Sequence, residues 1–191
     1  MANTKPRINE TELVEKIKKG NPDAVEQMYN ANIDRVYSLV FNQVDKNSEV
    51  AQEIVQETFI AAVRAIKNFK VRSSISTWLY SIANRKVADY YRRKRREDKH
   101  RVSYEVDSDK ISDSSQSTAA YGEDKDSTIA MRQALTKLPL HYRQAIVFKY
   151  VEGLSVSEIG EIMGRTEKSV EGLLARARKE LRDELSMQNE G

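Results

Sequence analysis

The sequence predicts an all-α protein with two small helical domains joined by a flexible acidic linker, the second domain containing a helix-turn-helix. Apolar residues recur at helical spacing along most of the 191 residues, and the strict alternation that marks strands is absent. This periodicity fails between about residues 97 and 127. A chain of this length can bury one large core or two small ones, and the interruption favours two.

The changes of pattern divide the chain into four parts. We expect a flexible tail at residues 1–9, a first domain at 10–96, a linker at 97–127 and a second domain at 128–187. The linker has nine acidic and four basic residues and no apolar periodicity, which is typical of disordered segments. The stretch before it, Arg85–Arg96, has seven basic residues and one acidic residue. The acidic linker is either simply solvated or discourages nucleic-acid binding by the free protein.

Composition excludes several classes of site. The chain has 32 lysines and arginines against 29 acidic residues, so its net charge of +3 indicates no particular partner. It has no cysteine, which excludes disulfides and thiolate metal sites, and its two histidines, His100 and His141, cannot form a metal cluster. Phosphate-binding glycine motifs are also absent. We expect no catalytic residue, no metal and no cofactor.

The chain also lacks the segments that send a protein into or across a membrane. Residues 1–10 contain no apolar core of a signal peptide, and no segment approaches the roughly 18 apolar residues of a transmembrane helix. We therefore expect a cytoplasmic protein without membrane insertion.

Four apolar stripes mark the helices of the first domain. The third helix starts near Asn47, whose side chain can accept hydrogen bonds from the free amides of a helix start. Ser74 can cap a long fourth helix, which we expect to end at Arg96. The apolar positions of the stripes are Leu13, Val14, Ile17; Ile33, Val36, Tyr37, Val40, Phe41; Ala51, Ile54, Val55, Phe59, Ala62, Val63, Ile66; Trp78, Leu79, Ile82, Ala83, Val87 and Tyr90.

The segment Phe69–Arg96 interleaves aromatic and basic residues. Cations can follow a phosphate backbone while aromatic rings stack on unpaired bases, so the pattern indicates binding to single-stranded nucleic acid. Trp78 also lies at core spacing with Leu79 and Ile82, which favours a structural role for that residue taken alone.

In the second domain, periodicity resumes at Ile129. Pro139 suits the first turn of a helix that runs through Tyr150, and Gly153 ends the pattern. Two closely spaced helices should follow.

Those last two helices have the pattern of a helix-turn-helix. Ser155 lies three residues before Glu158, the spacing of a capping box. Gly160 allows a close helix crossing, Gly164 supplies the turn, and Thr166 can cap the next helix. The outer face of that helix is polar and basic, which is typical of helices that enter the major groove of DNA. Its inward positions are Val170, Leu174, Ala177 and Leu181.

Three sets of motifs occur in order around the linker. They are Ala51–Phe59 (AQEIVQETF), then Ser76–Arg85 (STWLYSIANR) with Asp89 and Arg92, then Leu138–Arg143, Leu154–Gly164 and Arg176–Arg178. Together they resemble the extracytoplasmic-function (ECF) sigma factors of bacterial RNA polymerase. The first set is similar to that family's polymerase-binding motif, the second to its promoter-melting helix, and the third to the domain that reads the upstream promoter element.

The resemblance implies a sigma factor that directs core RNA polymerase to specific promoters and is not an enzyme. The helix-turn-helix would recognise the minus-thirty-five element, and the first domain, sigma region 2, would melt the minus-ten element. The partners would be core polymerase, through its largest-subunit clamp helices and flap, promoter DNA and an anti-sigma factor. Polymerase-binding positions would be Glu53, Ile54, Gln56, Glu57 and Phe59. Minus-ten positions would be Asn68, Phe69, Lys70, Arg72, Ser73, Trp78, Arg85, Lys86 and Tyr90. Minus-thirty-five positions, in sigma region 4, would be Arg165, Thr166, Lys168, Ser169, Glu171, Gly172, Ala175, Arg176 and Lys179.

The recognition helix departs from the family's pattern at one place. Many members have basic residues just after the valine, whereas here Val170 is followed by Glu171, Gly172 and Leu173. Glu171 can accept from a cytosine amino group or repel phosphate.

Two other classes of protein stay open from the residues alone. A free-standing DNA-binding regulator would use only the helix-turn-helix, and an RNA- or single-strand-binding protein would use only Phe69–Arg96. Each leaves one half of the chain without a function.

Overall fold

The computed structural model describes residues 9–104 and 125–189, and every regular element within those ranges is helical, which confirms the all-α prediction. The helices are α1 (Glu10–Lys18), α2 (Pro22–Gln43), α3 (Ser48–Ala65), α4 (Ile75–Tyr104), α5 (Lys125–Lys137), α6 (Leu140–Ile146), α7 (Val156–Met163) and α8 (Glu167–Asn189). A 3₁₀ turn, Ile66–Asn68, follows α3, and a π-helical turn, Val147–Val151, follows α6.

Side-chain caps define the helix starts of the first domain. Asn21 Oδ1 accepts from the Ala24 amide at 3.0 Å, and Asn47 Oδ1 accepts from the Val50 amide at 3.1 Å. Ser74 Oγ accepts from the Thr77 amide at 3.0 Å. Each contact satisfies an amide that has no partner within its own helix. The predicted starts at Asn47 and Ser74 are confirmed.

Helix α4 is longer than predicted. It continues past Arg96 to Tyr104 and so enters the segment expected to be linker. Residues 97–104 contain no glycine or proline, and Glu97 stands four residues before Arg101, a spacing that supports a helix. Residues 105–124 lie outside the described ranges, so a flexible linker and the four domain limits stay predictions.

Helix α4 packs against helices from both halves of the chain. It contacts α2 and α3 of the first domain and α7 of the second. Val87 of α4 is fully buried, and it belongs to the same apolar cluster as Phe148 and Ile159. The core of the first domain therefore continues into the core of the second.

The predicted helix-turn-helix forms from α7 and α8. Ser155 and Glu158 make both hydrogen bonds of the capping box at the start of α7. Gly164 has a φ of 64°, the left-handed conformation that glycine adopts without strain. A Cβ on Gly160 would lie 2.7 Å from the backbone oxygen of Arg165, so only glycine permits this tight turn. The predicted capping box and the predicted turn at Gly164 are confirmed. The close approach at Gly160 is to the backbone of the turn, whereas a crossing by the second helix was predicted.

The helix that precedes this motif differs from the prediction. Pro139 is the N-cap of α6 and not its first residue, and α-helical geometry stops at Ile146. The Glu152 amide donates to the Val147 oxygen five residues earlier, which is the spacing of a π turn. Gly153, with a φ of 67°, then lets the chain turn toward α7.

Candidate nucleic-acid and protein-binding surfaces

The predicted polymerase-binding residues divide between the surface and the core. Glu53 and Gln56 are exposed on α3, and Glu57 is half-buried beside them. Ile54 and Phe59 are buried in the core of the first domain. In this arrangement only the polar residues of the motif can reach a partner, and the two apolar residues hold α3 in place.

An apolar patch beside those polar residues was missed in the sequence. Ile60 is 45% exposed and Val63 is 41% exposed, although Val63 was predicted to face the core. Ile60 follows Gln56 by four residues, so both lie on one face of α3. Tyr29 of α2 is 43% exposed, and its ring contacts Phe59 with centroids 4.8 Å apart. We call Tyr29, Ile60 and Val63 the α3 patch.

The loop between α3 and α4 contains predicted minus-ten residues. Asn68, Lys70 and Arg72 are exposed and Ser73 is half-buried, whereas Phe69 is buried. The Phe69 ring stacks on Trp78 with centroids 4.6 Å apart, so Trp78 has a packing role. The predicted contacts from this loop therefore come from its polar residues.

Val71 gives the same loop an unusual backbone. Its φ of 52° is left-handed, a conformation that a β-branched residue adopts only under strain. Strain of this kind costs roughly 1–3 kcal/mol and persists where the surroundings hold it, often at ligand sites. The loop is therefore held in a defined shape.

Helix α4 presents the remaining predicted minus-ten residues. Arg85 is exposed, and Lys86 and Tyr90 are half-buried. Lys86 Nζ lies 2.9 Å from Glu57 Oε2 on α3. The predicted minus-ten and polymerase-binding positions thus meet in one ion pair.

Helix α8 turns most of its predicted minus-thirty-five residues outward. Its exposed positions, with those of the preceding turn, are Arg165, Thr166, Lys168, Glu171, Ala175, Arg176 and Lys179, while Ser169 and Gly172 are half-buried. Thr166 Oγ1 accepts from the Ser169 amide at 3.3 Å, the predicted cap.

Leu173 changes the interpretation of this helix. It is 1% exposed and packs in the core with Val170 and Leu174. Leu173 was not among the predicted inward positions, and its burial prevents contact with a base. The departure from the family pattern on the outer face is therefore limited to Glu171 and Gly172.

Positive charge extends from α8 to the start of α6. Burial, together with the nearby guanidinium groups of Arg165 and Arg176, lowers the pKa of His141. Cations that lie close enough to lower this pKa indicate a positive potential at this end of the recognition helix.

Arg143 links the two domains and was not predicted as a contact residue. It is buried, and its Nη1 donates to Asp45 Oδ1, to the Gln43 backbone oxygen at 3.2 Å and to Tyr91 Oη at 3.0 Å. Its Nη2 donates to the Thr136 oxygen at 2.9 Å within its own domain. This guanidinium therefore satisfies polar groups on both sides of the domain contact.

Among side chains of residues 9–97 and 130–187, no three His, Cys, Asp or Glu residues are grouped so that they could hold a metal ion. No helix in the described part of the chain is long and apolar enough to span a bilayer.

Known proteins match both halves of the chain. The sigma-70 region 2 family matches residues 28–97, and the sigma-70 region 4 family matches residues 128–181. The ECF RNA polymerase sigma factor SigW of Bacillus subtilis is 32% identical over 90% of this chain and 94% of its own length. The RNA polymerase sigma factor YlaC of the same organism is 29% identical over 88% of this chain and 95% of its own.

Solved structures share the fold. CnrH, in complex with the cytosolic domain of CnrY, superposes with a TM-score of 0.65 at 24% identity, over 93% of this chain and 97% of its own. The sigma factor RpoE of Bartonella quintana, in complex with the anti-sigma factor NepR, superposes with a TM-score of 0.63 at 21% identity, over 84% of this chain and 96% of its own.

The helix-turn-helix with its basic outer face defines a DNA-binding protein of the transcription machinery. The chain belongs to the ECF sigma factors of RNA polymerase. It is a promoter-specific transcription initiation factor that works with core RNA polymerase on promoter DNA, as the sequence resemblance implied.

Proposed function

We propose that three separate surfaces of this sigma factor carry the three steps of initiation. The polar face of α3 with the α3 patch binds the polymerase clamp helices, the 68–73 loop with α4 holds the melted minus-ten strand, and α8 reads the minus-thirty-five element. The observation that carries the proposal is the outward placement of α8: its polar residues face solvent while Val170, Leu173 and Leu174 lie in the core.

Polymerase binding uses polar and apolar contacts together. Glu53 and Gln56 supply hydrogen-bonding groups, and Ile60 supplies apolar surface on the same helix face. Exposed apolar side chains rimmed by polar ones are typical of protein interfaces. In the second domain, Tyr150 and Val151 are exposed apolar residues on the π turn, and this surface suits the polymerase flap.

Promoter melting uses the strained loop and the basic face of α4. A flipped base needs a preformed pocket, and the left-handed Val71 holds Lys70 and Arg72 in a defined loop next to the Phe69–Trp78 stack. Arg85 and Lys86 on α4 can pair with the phosphates of the opened strand.

Recognition of the minus-thirty-five element uses α8 in the major groove. Arg165, Lys168 and Arg176 are exposed and can neutralise phosphates, which places the helix in register. Glu171 faces outward at the position where a side chain reaches base edges, and it can accept from a cytosine amino group.

The chain performs no reaction of its own in this proposal. Core polymerase, in the cytoplasm, carries out RNA synthesis, and the sigma factor supplies promoter recognition and strand opening. An anti-sigma factor is a further proposed partner. The similar RpoE structure is a complex with the anti-sigma factor NepR, and the similar CnrH structure is a complex with the cytosolic domain of CnrY. The α3 patch offers exposed apolar surface for it.

Reconstituted transcription tests the residue assignments. The purified protein with core polymerase should initiate at a defined promoter, and Lys168→Ala should reduce initiation from duplex promoters without weakening core binding. Arg182→Ala, an exposed arginine farther along α8 that is not proposed to contact DNA, is the matched control. Equal losses in both variants would contradict the assignment of α8.

A further inference from the structure

A cleft separates the basic segment Arg92–Arg96 of α4 from the start of α6. Its volume is about 650 Å³, and its lining includes Leu140. Arg92, Arg95 and Arg96 line the α4 side, and His141 and Gln144 line the α6 side. Ligand sites in proteins have volumes of roughly 300–1,000 Å³, so the cleft is large enough for a small molecule.

Gln144, which lines this cleft, has an unpaired amide nitrogen. The residue is 4% exposed, and its Nε2 is buried without a hydrogen-bond partner among the described residues. Leaving a buried donor unpaired costs about 1–3 kcal/mol, so nearly all such groups in folded proteins find a partner. A ligand that accepts a hydrogen bond in the cleft would supply it.

The charge of the cleft selects an anion. Its described lining has three arginines and no aspartate or glutamate. Within residues 9–97 and 130–187, Arg92 is the one lining arginine with a carboxylate partner, Asp89 at 3.2 Å, and that pair is exposed. Arg165 and Arg176 add positive charge beside His141. Arginine side chains bind phosphate oxygens through two parallel N–H donors, which makes phosphate the anion that this arrangement fits best.

We propose that this cleft is a binding site for the phosphate groups of a ligand, with Arg95, Arg96 and Gln144 as donors. The apolar side chain of Leu140 in the lining suits the base or sugar of a nucleotide, while the arginines bind its phosphates. Arg95 and Arg96 lie at the end of the segment Phe69–Arg96, beyond Tyr90, the last residue assigned individually to the minus-ten strand, so the site extends past the proposed minus-ten contacts.

A ligand in the cleft also stabilises the contact between domains. One wall belongs to α4 and the other to α6, so the complete site exists only when the two domains pack together. A molecule that binds only this arrangement shifts the equilibrium toward it. The site therefore couples phosphate binding to domain closure.

Proton NMR of the histidines tests the proposal on the full chain. Because the protein has only two histidines, the His141 signal can be assigned by a His100→Gln substitution. At constant ionic strength, pyrophosphate or ATP should shift the His141 signal saturably. Bound phosphate favours the imidazolium, so the pKa of His141 should rise.

Charge-matched variants separate the cleft from general attraction of anions. Arg95→Ala with Arg96→Ala should weaken pyrophosphate or ATP binding by about tenfold or more. Arg93→Ala with Lys94→Ala removes the same charge from adjacent positions that do not line the cleft, and should change binding by less than about twofold. Gln144→Leu should weaken binding without changing net charge.

A short duplex DNA in the same experiment identifies the source of the phosphate. Saturation by pyrophosphate or ATP that depends on Arg95 and Arg96 indicates a free nucleotide or polyphosphate, and saturation by DNA alone with that dependence indicates the DNA backbone. The proposal would be overturned if none of pyrophosphate, ATP and duplex DNA gave a saturable shift. It would also be overturned if the cleft variant and the control variant weakened ligand binding equally.

Discussion

Lys86 Nζ lies 2.9 Å from Glu57 Oε2, which joins the proposed polymerase-binding face of α3 to the proposed promoter-strand face of α4. The two side chains are 32% and 34% exposed, so water screens the pair and its contribution to folding is small, about 0.2–1 kcal/mol. We propose that a partner that binds Glu57 frees Lys86 for the DNA strand. The pair places the two proposed surfaces within one contact of each other.

Lys86→Gln should therefore affect promoter opening more than folding. We expect a loss of at most about 1 kcal/mol in the free energy of unfolding, and a clear decrease in melting of the minus-ten element, measured with a fluorescent base analogue. Lys18→Gln is the control, because Lys18 forms a similar ion pair with Glu15 at 3.0 Å on α1. The assignment of Lys86 fails if Lys86→Gln melts the minus-ten element as fully as the parent protein does.

The glycines of the helix-turn-helix should respond to alanine in opposite directions. Gly164→Ala should lower the free energy of unfolding by about 1–2 kcal/mol, because residue 164 is left-handed. Gly172→Ala should raise it by up to about 1 kcal/mol, since it lies in α8 and the nearest atom to an added Cβ is the Arg176 side chain at 3.9 Å. Urea unfolding measures both, and destabilisation by Gly172→Ala would contradict the packing described for α8.

The link between Arg143 and Asp45 should hold the domains together. Arg143→Met should cost about 2–3 kcal/mol, because it leaves the Gln43 oxygen and Asp45 without their charged donor. Asp45→Asn should cost less, about 1 kcal/mol, since that side chain is partly exposed and asparagine tolerates its φ of 55°. Additive effects in the double variant would show that the two residues do not interact.

Glu152 should make stability depend on pH. Burial raises the pKa of Glu152, an effect that Arg35 partly opposes. Among the described residues, Glu152 Oε1 has no hydrogen-bond partner. Because the folded state holds this proton more tightly than the unfolded state, stability falls as pH rises from the ordinary pKa of 4.5 through the raised value. Glu152→Gln should remove that fall and be more stable than the parent at neutral pH. Glu161 is exposed on α7, so Glu161→Gln should leave the pH dependence of stability unchanged.

Local signals in the sequence predicted the helix starts and the turn. Asn47, Ser74, Ser155 and Gly164 act on backbone within three or four residues, so their roles follow from spacing alone. The α8 stripe was nearly complete, and only Leu173 was missed.

Contacts between distant residues could not be predicted in this way. Asp45 and Arg143 are far apart in the sequence, and apolar periodicity carries no information about which charges meet across a domain contact. The sequence also could not show which apolar residues of α3 are exposed: Ile54 and Phe59 are buried, whereas Ile60 is exposed. A family motif indicates which helix binds, but burial decides which of its side chains reach the surface.

The central claim is that this chain directs polymerase to promoters through both domains. Start-site mapping with purified core polymerase and genomic DNA tests it most directly, with the parent protein compared with Glu171→Lys. We predict defined start sites that require the sigma factor, and an altered minus-thirty-five preference in the variant with an unchanged minus-ten preference. If the protein with core polymerase started transcription at none of the genomic promoters, the proposed function would be wrong.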